Sequence, residues 1–182
     1  MGLRLLIVVD MQNDFINGSL GTSEAEAIVD NVANYIIEFP GDVILTQDTH
    51  YNDYLKTYEG KKLPIPHCIA GTAGRDLHYN IIAAVREKQE TDATVGIVSK
   101  NTFGSVDLPD KIRISEFGEH MYSEIYICGL CTDICVISNA MLIKAYYPNR
   151  KITVLKDLCA GTTPENHQKA LDIMKQCQID II

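Results

Sequence analysis

Short apolar runs rich in β-branched residues recur along the chain at positions 5–9, 43–46, 95–99, 125–128 and 152–155. Runs of this length, apolar on both faces, suit strands buried inside a parallel sheet. Between them the apolar positions take a helical period. Ile28, Val32, Ile36 and Phe39 fall on one face, and Pro40-Gly41 stops that helix. A second helix is predicted over about 74–88. A third is predicted to start after Thr132 as its N-cap and to run to about Tyr147, with Ile137, Ala140, Met141 and Lys144 marking the face and Pro148 the stop. A fourth opens at Thr163-Pro164, an N-cap followed by proline in the first helical position. No period places a helix after Val106. Strands alternating with helices predict an open α/β sheet with helices on both faces, wound by right-handed crossovers, in a single domain over 1–182.

Charge removes several functions from consideration. The 182 residues carry 16 Lys and Arg against 24 Asp and Glu, a net charge of −8, so counterion release on a nucleic acid has no source and no nucleic-acid partner is expected. No apolar run approaches the ~20 residues of a membrane span, so no membrane partner is expected either. The first strand runs straight into Asp10 without a cleavage site, and a cytoplasmic protein is expected. The 6 cysteines (68, 128, 131, 135, 159 and 177) are too sparse for a disulfide scaffold and are expected to be free thiols.

One segment breaks the short-loop rule. Positions 47–72 show no usable period, and a long structureless loop in a compact domain is usually functional. Ligands of open α/β sheets sit outside the carboxyl ends of the strands, where Asp10, Asp48, Lys100, Cys131 and Cys135 all fall. Cys135 would lie in the first turn of the third helix, where the dipole lowers a thiol pKa; the alternative is an inert buried thiol. The main-chain amides of Cys131 and Cys135 lie in the same strand-to-helix turn and can face an oxyanion. Asp10 and Lys100 end two strands, either as a structural ion pair or as a base and a thiolate-stabilising cation. Asp48 and His50 point the same way on an extended segment, and with His67 they form a three-ligand set with open positions that zinc, iron or manganese would suit. The alternative is a solvated loop pair. Cys128-Gly-Leu-Cys131 has dithiol spacing but no second pair. His78 and His120 suggest no role, and His167 reads as a surface residue.

The segments Asp10-Met-Gln-Asn-Asp-Phe15, Thr46-Gln-Asp-Thr-His50, Pro66-His-Cys-Ile-Ala-Gly-Thr72, Lys100 and Gly129-Leu-Cys-Thr-Asp-Ile-Cys135 together resemble the isochorismatase-like cysteine hydrolases. Within that superfamily they are most similar to the nicotinamidases. The resemblance implies a three-layer α/β/α fold with a mainly parallel six-stranded sheet and an Asp10–Lys100–Cys135 triad. It implies a cis Leu130–Cys131 peptide that turns the amides of Cys131 and Cys135 to the oxyanion. It further implies a divalent metal, zinc first with iron or manganese as alternatives, on Asp48, His50 and His67, with Glu59 as the candidate for an added ligand. Phe15 corresponds to an aromatic pocket wall, and Phe103 falls in a stretch that touches the pocket. Thr49 stands where many nicotinamidases carry Trp, and the run after Lys100 also departs from their pattern. The implied activity is hydrolysis of nicotinamide to nicotinate and ammonia through a Cys135 thioester. The alternatives are another small amide as substrate, or a non-catalytic small-molecule-binding member of the fold. A homo-oligomer is implied by resemblance alone.

Overall fold

The computed structural model describes residues 3–116 and 121–182. His120 lies outside the described residues. In chain order the elements are β1 (Leu3–Val9), α1 (Asn13–Ile16), α2 (Ser23–Glu38), β2 (Asp42–Asp48), a 3-10 turn (Tyr54–Lys56), α3 (Tyr58–Lys62), α4 (Tyr79–Gln89) and β3 (Val95–Lys100). They continue with α5 (Leu108–Ser115), β4 (Tyr122–Leu130), a π-helical turn (Thr132–Val136), α6 (Ile137–Tyr146), β5 (Lys151–Ala160), α7 (Pro164–Gln176) and β6 (Asp180–Ile181).

The strands form one 6-stranded sheet in the order β3-β2-β1-β4-β5-β6, and every pairing is parallel. Leu5 to Val9 of the central strand are all 0 % exposed, which explains why the run is apolar on both faces. Helices α2 and α4 pack together on one side, and α5, α6 and α7 form the layer on the other. The fold is therefore the three-layer α/β/α arrangement expected. Strand order reverses between β1 and β4, and that reversal opens a crevice at their carboxyl ends.

Caps and stops explain where helices begin. Thr22 accepts a hydrogen bond from Ala25 N at the start of α2, and Thr163 accepts one from Asn166 N at the start of α7. Four expectations need correction. The second helix starts at Tyr79 rather than near 74, because the stretch before it pairs with the segment after β1. Asn13 N donates to Asp76 O, Asp14 N to Gly74 O and His78 N to Met11 O, which leaves the first helical turn to open at His78. The third helix is capped at Cys131, not Thr132, and starts as a π-helical turn. The Thr132 hydroxyl is 2.7 Å from His167 Nδ1 instead, so His167 is a half-buried partner and not a free surface residue. Positions 47–72 are not structureless: β2 runs to Asp48, and two helical turns too brief to show a period follow. Thr57 ties those turns together, donating to Tyr54 O and accepting from Gly60 N.

The six cysteines are free, as expected. No described helix is long and apolar enough to cross a membrane.

Gly129 is where the chain tolerates only glycine. Its φ is +115°, and a Cβ there would stand 2.1 Å from Val9 O on the neighbouring strand. Gly129→Ala should therefore cost more than about 2 kcal/mol of unfolding free energy, read as a lower urea midpoint at unchanged slope. A midpoint shift worth under about 0.5 kcal/mol would show that β1 and β4 can separate without penalty.

Candidate active site

Four strand ends deliver the polar residues to one place. Asp10 follows β1 with φ +48°, Asp48 and Lys100 are register partners at the ends of β2 and β3, and Cys135 lies in the π-helical turn after β4. All of these side chains are buried: Asp10 at 0 %, Asp48 at 5 %, Lys100 at 6 % and Cys135 at 6 % exposure. An ionised group in such surroundings must be paired.

Lys100 is the common partner. Its Nζ stands 2.6 Å from Asp10 Oδ2, 3.6 Å from Asp48 Oδ1 and 3.7 Å from Cys135 Sγ. The contact to Asp10 Oδ2 is a close ion pair without hydrogen-bond alignment. The other carboxylate oxygen, Oδ1, accepts from the Thr46 hydroxyl at 2.6 Å. Burial opposes the Lys100 charge, yet the negative groups around it prevail and its pKa is raised, so it stays an ammonium. Burial raises the Asp10 pKa against the pull of Lys100.

Burial pushes the Cys135 thiol well above its ordinary value, Asp10 adds to the rise and Lys100 opposes it. The expectation of a dipole-lowered thiol is thus overturned. A helix terminus supplies ~0.3–1 kcal/mol, less than one pKa unit, whereas full desolvation moves a pKa by up to ~3–5 units. That direction favours the protonated thiol beside the buried Asp10 carboxylate.

The Leu130–Cys131 peptide is cis. Cys131 and Cys135 both line a cavity of about 280 Å³, together with Phe15, Phe103, Asp48, Glu59 and His67. The candidate nucleophile and candidate metal ligands therefore share one chamber.

Asp48, His50 and His67 bring their ligating atoms within 4.8 Å of one another, all three side chains buried. His50 Nε2 is 3.0 Å from Asp48 Oδ2 and 3.5 Å from Glu59 Oε1; His67 Nε2 is 3.7 Å from each of the same two oxygens. Asp48, His50 and His67 thus offer three clustered ligand atoms, and Glu59 Oε1 lies near both imidazoles. His50 Nε2 is buried without a hydrogen-bond partner, the state of a nitrogen reserved for a ligand. His67 Nδ1 lies 2.8 Å from Ile65 O, which turns its Nε2 inward. The rings of Phe15 and Tyr54 brace His67 at centroid distances of 5.5 and 5.0 Å.

Several supporting residues escaped the sequence reading. Gln12, 0 % exposed, donates to Asp48 O at 2.8 Å and to Arg75 O at 2.7 Å while accepting from Asp48 N at 2.6 Å. Asn139 donates to Cys135 O at 2.8 Å and accepts from Ser105 N at 2.9 Å, tying the nucleophile's turn to the loop after β3. Gln12 had a signal, being a polar side chain just past a buried strand. Asn139 had none, since its bond to Ser105 joins residues distant in sequence.

The isochorismatase domain model matches residues 4–182. An isochorismatase family protein of Bacillus subtilis is 34% identical over 179 residues, covering 92% of this chain and 92% of the relative. The nicotinamidase/pyrazinamidase of Mycobacterium tuberculosis is 28% identical over 193 residues, covering 99% of this chain and 98% of the relative. Among solved structures, the pyrazinamidase of Pyrococcus horikoshii in complex with zinc superposes with a TM-score of 0.76 at 28% identity, over 98% of each chain.

Removing Gln12 tests how the site is held. Gln12→Ala should lower the unfolding free energy by about 2–4 kcal/mol in urea, because it strands buried amide and carbonyl groups of Asp48 and Arg75. A loss below about 1 kcal/mol would mean those groups find other partners. Matched along nearly its whole described length by one domain model, and carrying its reactive groups on the strand ends of that fold, the chain belongs to the isochorismatase family.

Proposed function

We propose that the protein is a metal-dependent nicotinamidase that hydrolyses nicotinamide to nicotinate and ammonia through a thioester on Cys135. The observation that carries this reading is the single cavity of about 280 Å³ with Cys135 in one wall and Asp48, Glu59 and His67 in another. A heteroaromatic carboxamide has the same polarity: an electrophilic carbon on one edge of a flat ring and a ligating nitrogen on another. The curated relatives named nicotinamidase, and the zinc-bound pyrazinamidase, support the substrate class and the metal.

The residues then divide the work. Asp10 takes the Cys135 proton as the sulfur attacks the carboxamide carbon, and Lys100, 3.7 Å from Sγ, balances the charge on the thiolate. Negative charge moves to the carbonyl oxygen, which the amides of Cys131 and Cys135 receive; such a donor is worth roughly 3–4 kcal/mol. The C–N bond breaks as Asp10 returns the proton to the departing ammonia. Water, deprotonated by Asp10, adds to the thioester and releases the carboxylic acid and the free thiol. Asp48, His50, His67 and Glu59 would hold a divalent ion, zinc or else iron or manganese, which supplies a Lewis-acid contact for the ring nitrogen and so fixes the carboxamide against Cys135. Phe15 and Phe103 flank the ring.

Ammonia release from nicotinamide by the purified protein tests the reading. Release is expected with bound metal, lost on chelation, and restored by zinc, manganese or iron(II). Cys135→Ala should reduce kcat by at least about a thousandfold. Activity within about tenfold of the parent would remove Cys135 as nucleophile, and unchanged turnover after complete chelation would remove the metal from the reaction and turn attention to other small amides.

A further inference from the structure

The inner cavity is not the end of the accessible space. A second hollow of about 830 Å³ adjoins it, and Glu59, Leu63, Phe103 and Ile134 line both. Three tyrosines, Tyr51, Tyr54 and Tyr58, supply much of the rest of its lining, interspersed with polar side chains such as Thr57 and Asn101. Tyr51 is 63 % exposed, Tyr58 77 % and Phe103 47 %. Aromatic rings left open to water around the mouth of a reactive cavity are costly unless something apolar covers them.

We infer that this outer hollow is a substrate subsite for an apolar ring substituent, so that the enzyme takes aryl-extended heteroaromatic carboxamides and not only the single-ring amide. The inference rests on the functional reading above. Continuity decides the occupant. A molecule whose carboxamide reaches Cys135 and whose ring lies against Glu59 and Phe103 has its far ring edge directed to walls that both hollows share. The inner cavity is of a size for one small ring, whereas the outer one is about three times larger. Lys62 and Asp53 at its edge bring one charge of each sign, which favours an uncharged group over an anion or cation. Tyr58 stands on the short helix α3, next to Glu59, so a substituent stacked on it also packs against the backbone that carries the candidate ligand.

Three amides separate the alternatives: nicotinamide, 5-phenylnicotinamide and 6-phenylnicotinamide, assayed for ammonia release with the metal-loaded protein. At least one phenyl amide should show a KM about fivefold or more below that of nicotinamide, with kcat within about tenfold. Tyr58→Ala should raise that KM about tenfold and leave nicotinamide unchanged, while Tyr58→Phe, which keeps the ring, should restore it. Calorimetric titration of the same amides into the Cys135→Ala protein should give the same order of affinity without turnover. If nicotinamide is hydrolysed but both phenyl amides bind more weakly, the subsite is overturned and the functional reading stands. If Tyr58→Ala raises the KM of all three equally, the residue belongs to the inner site and the subsite is again overturned. If nicotinamide is not hydrolysed with any metal, the functional reading falls, and the calorimetric order alone supports or overturns the subsite.

Discussion

The ammonium of Lys100, buried between carboxylates, is the interaction on which the rest of the site depends. It stands 2.6 Å from Asp10 and 3.6 Å from Asp48, so one cation compensates both the proposed base and a candidate metal ligand. Without it, two carboxylates in a nearly dry interior could not both remain ionised. The thiol of Cys135, 3.7 Å away, joins the same electrostatic unit. Catalytic and metal-binding halves are thus coupled through one side chain, and their titration belongs to the cluster rather than to single residues.

The sheet makes that convergence geometrically cheap. With every pairing parallel, all strands end on one side, and the reversal of strand order between β1 and β4 leaves an opening there. The close approach of Gly129 to Val9 holds those two strands together at the opening. Each reactive group then needs only to sit at the end of a strand: Asp10 directly follows the apolar run of β1, and Lys100 is the last residue of β3. Second contacts restrain the ends: Thr46 on Asp10, Gln12 on Asp48 and Asn139 on Cys135. They fix the Asp10 carboxylate and the backbone of Asp48 and Cys135, where an error of about 1 Å would cost rate.

Burial also sets the state of the candidate nucleophile. A low-pKa cysteine would stay a thiolate, open to adventitious oxidation and metal capture. Here desolvation raises the pKa of both Cys135 and Asp10. Lys100 favours the charged form of both.

Much of this was written in local pattern. The buried strands, the helix stops at Pro40 and Pro148, the Thr163 cap and the polar residues at the strand ends all express short-range rules of periodicity, sterics and capping, which a sequence displays directly. Motif spacing carried the likeness to a hydrolase family and with it the six-strand sheet, along with the candidate triad and ligand set. Tertiary structure alone decided the remainder. Pairing with the segment after β1 delayed α4 to Tyr79, the bond to His167 took Thr132 away from the helix cap, and desolvation reversed the expected shift of Cys135. The clamp by Gln12 and the hollow beyond Phe103 likewise arise from residues far apart in the chain. The physical reason is common to all of them: hydrogen bonds, burial and cavity shape depend on which distant groups displace water from one another, and that is settled only when the layers pack.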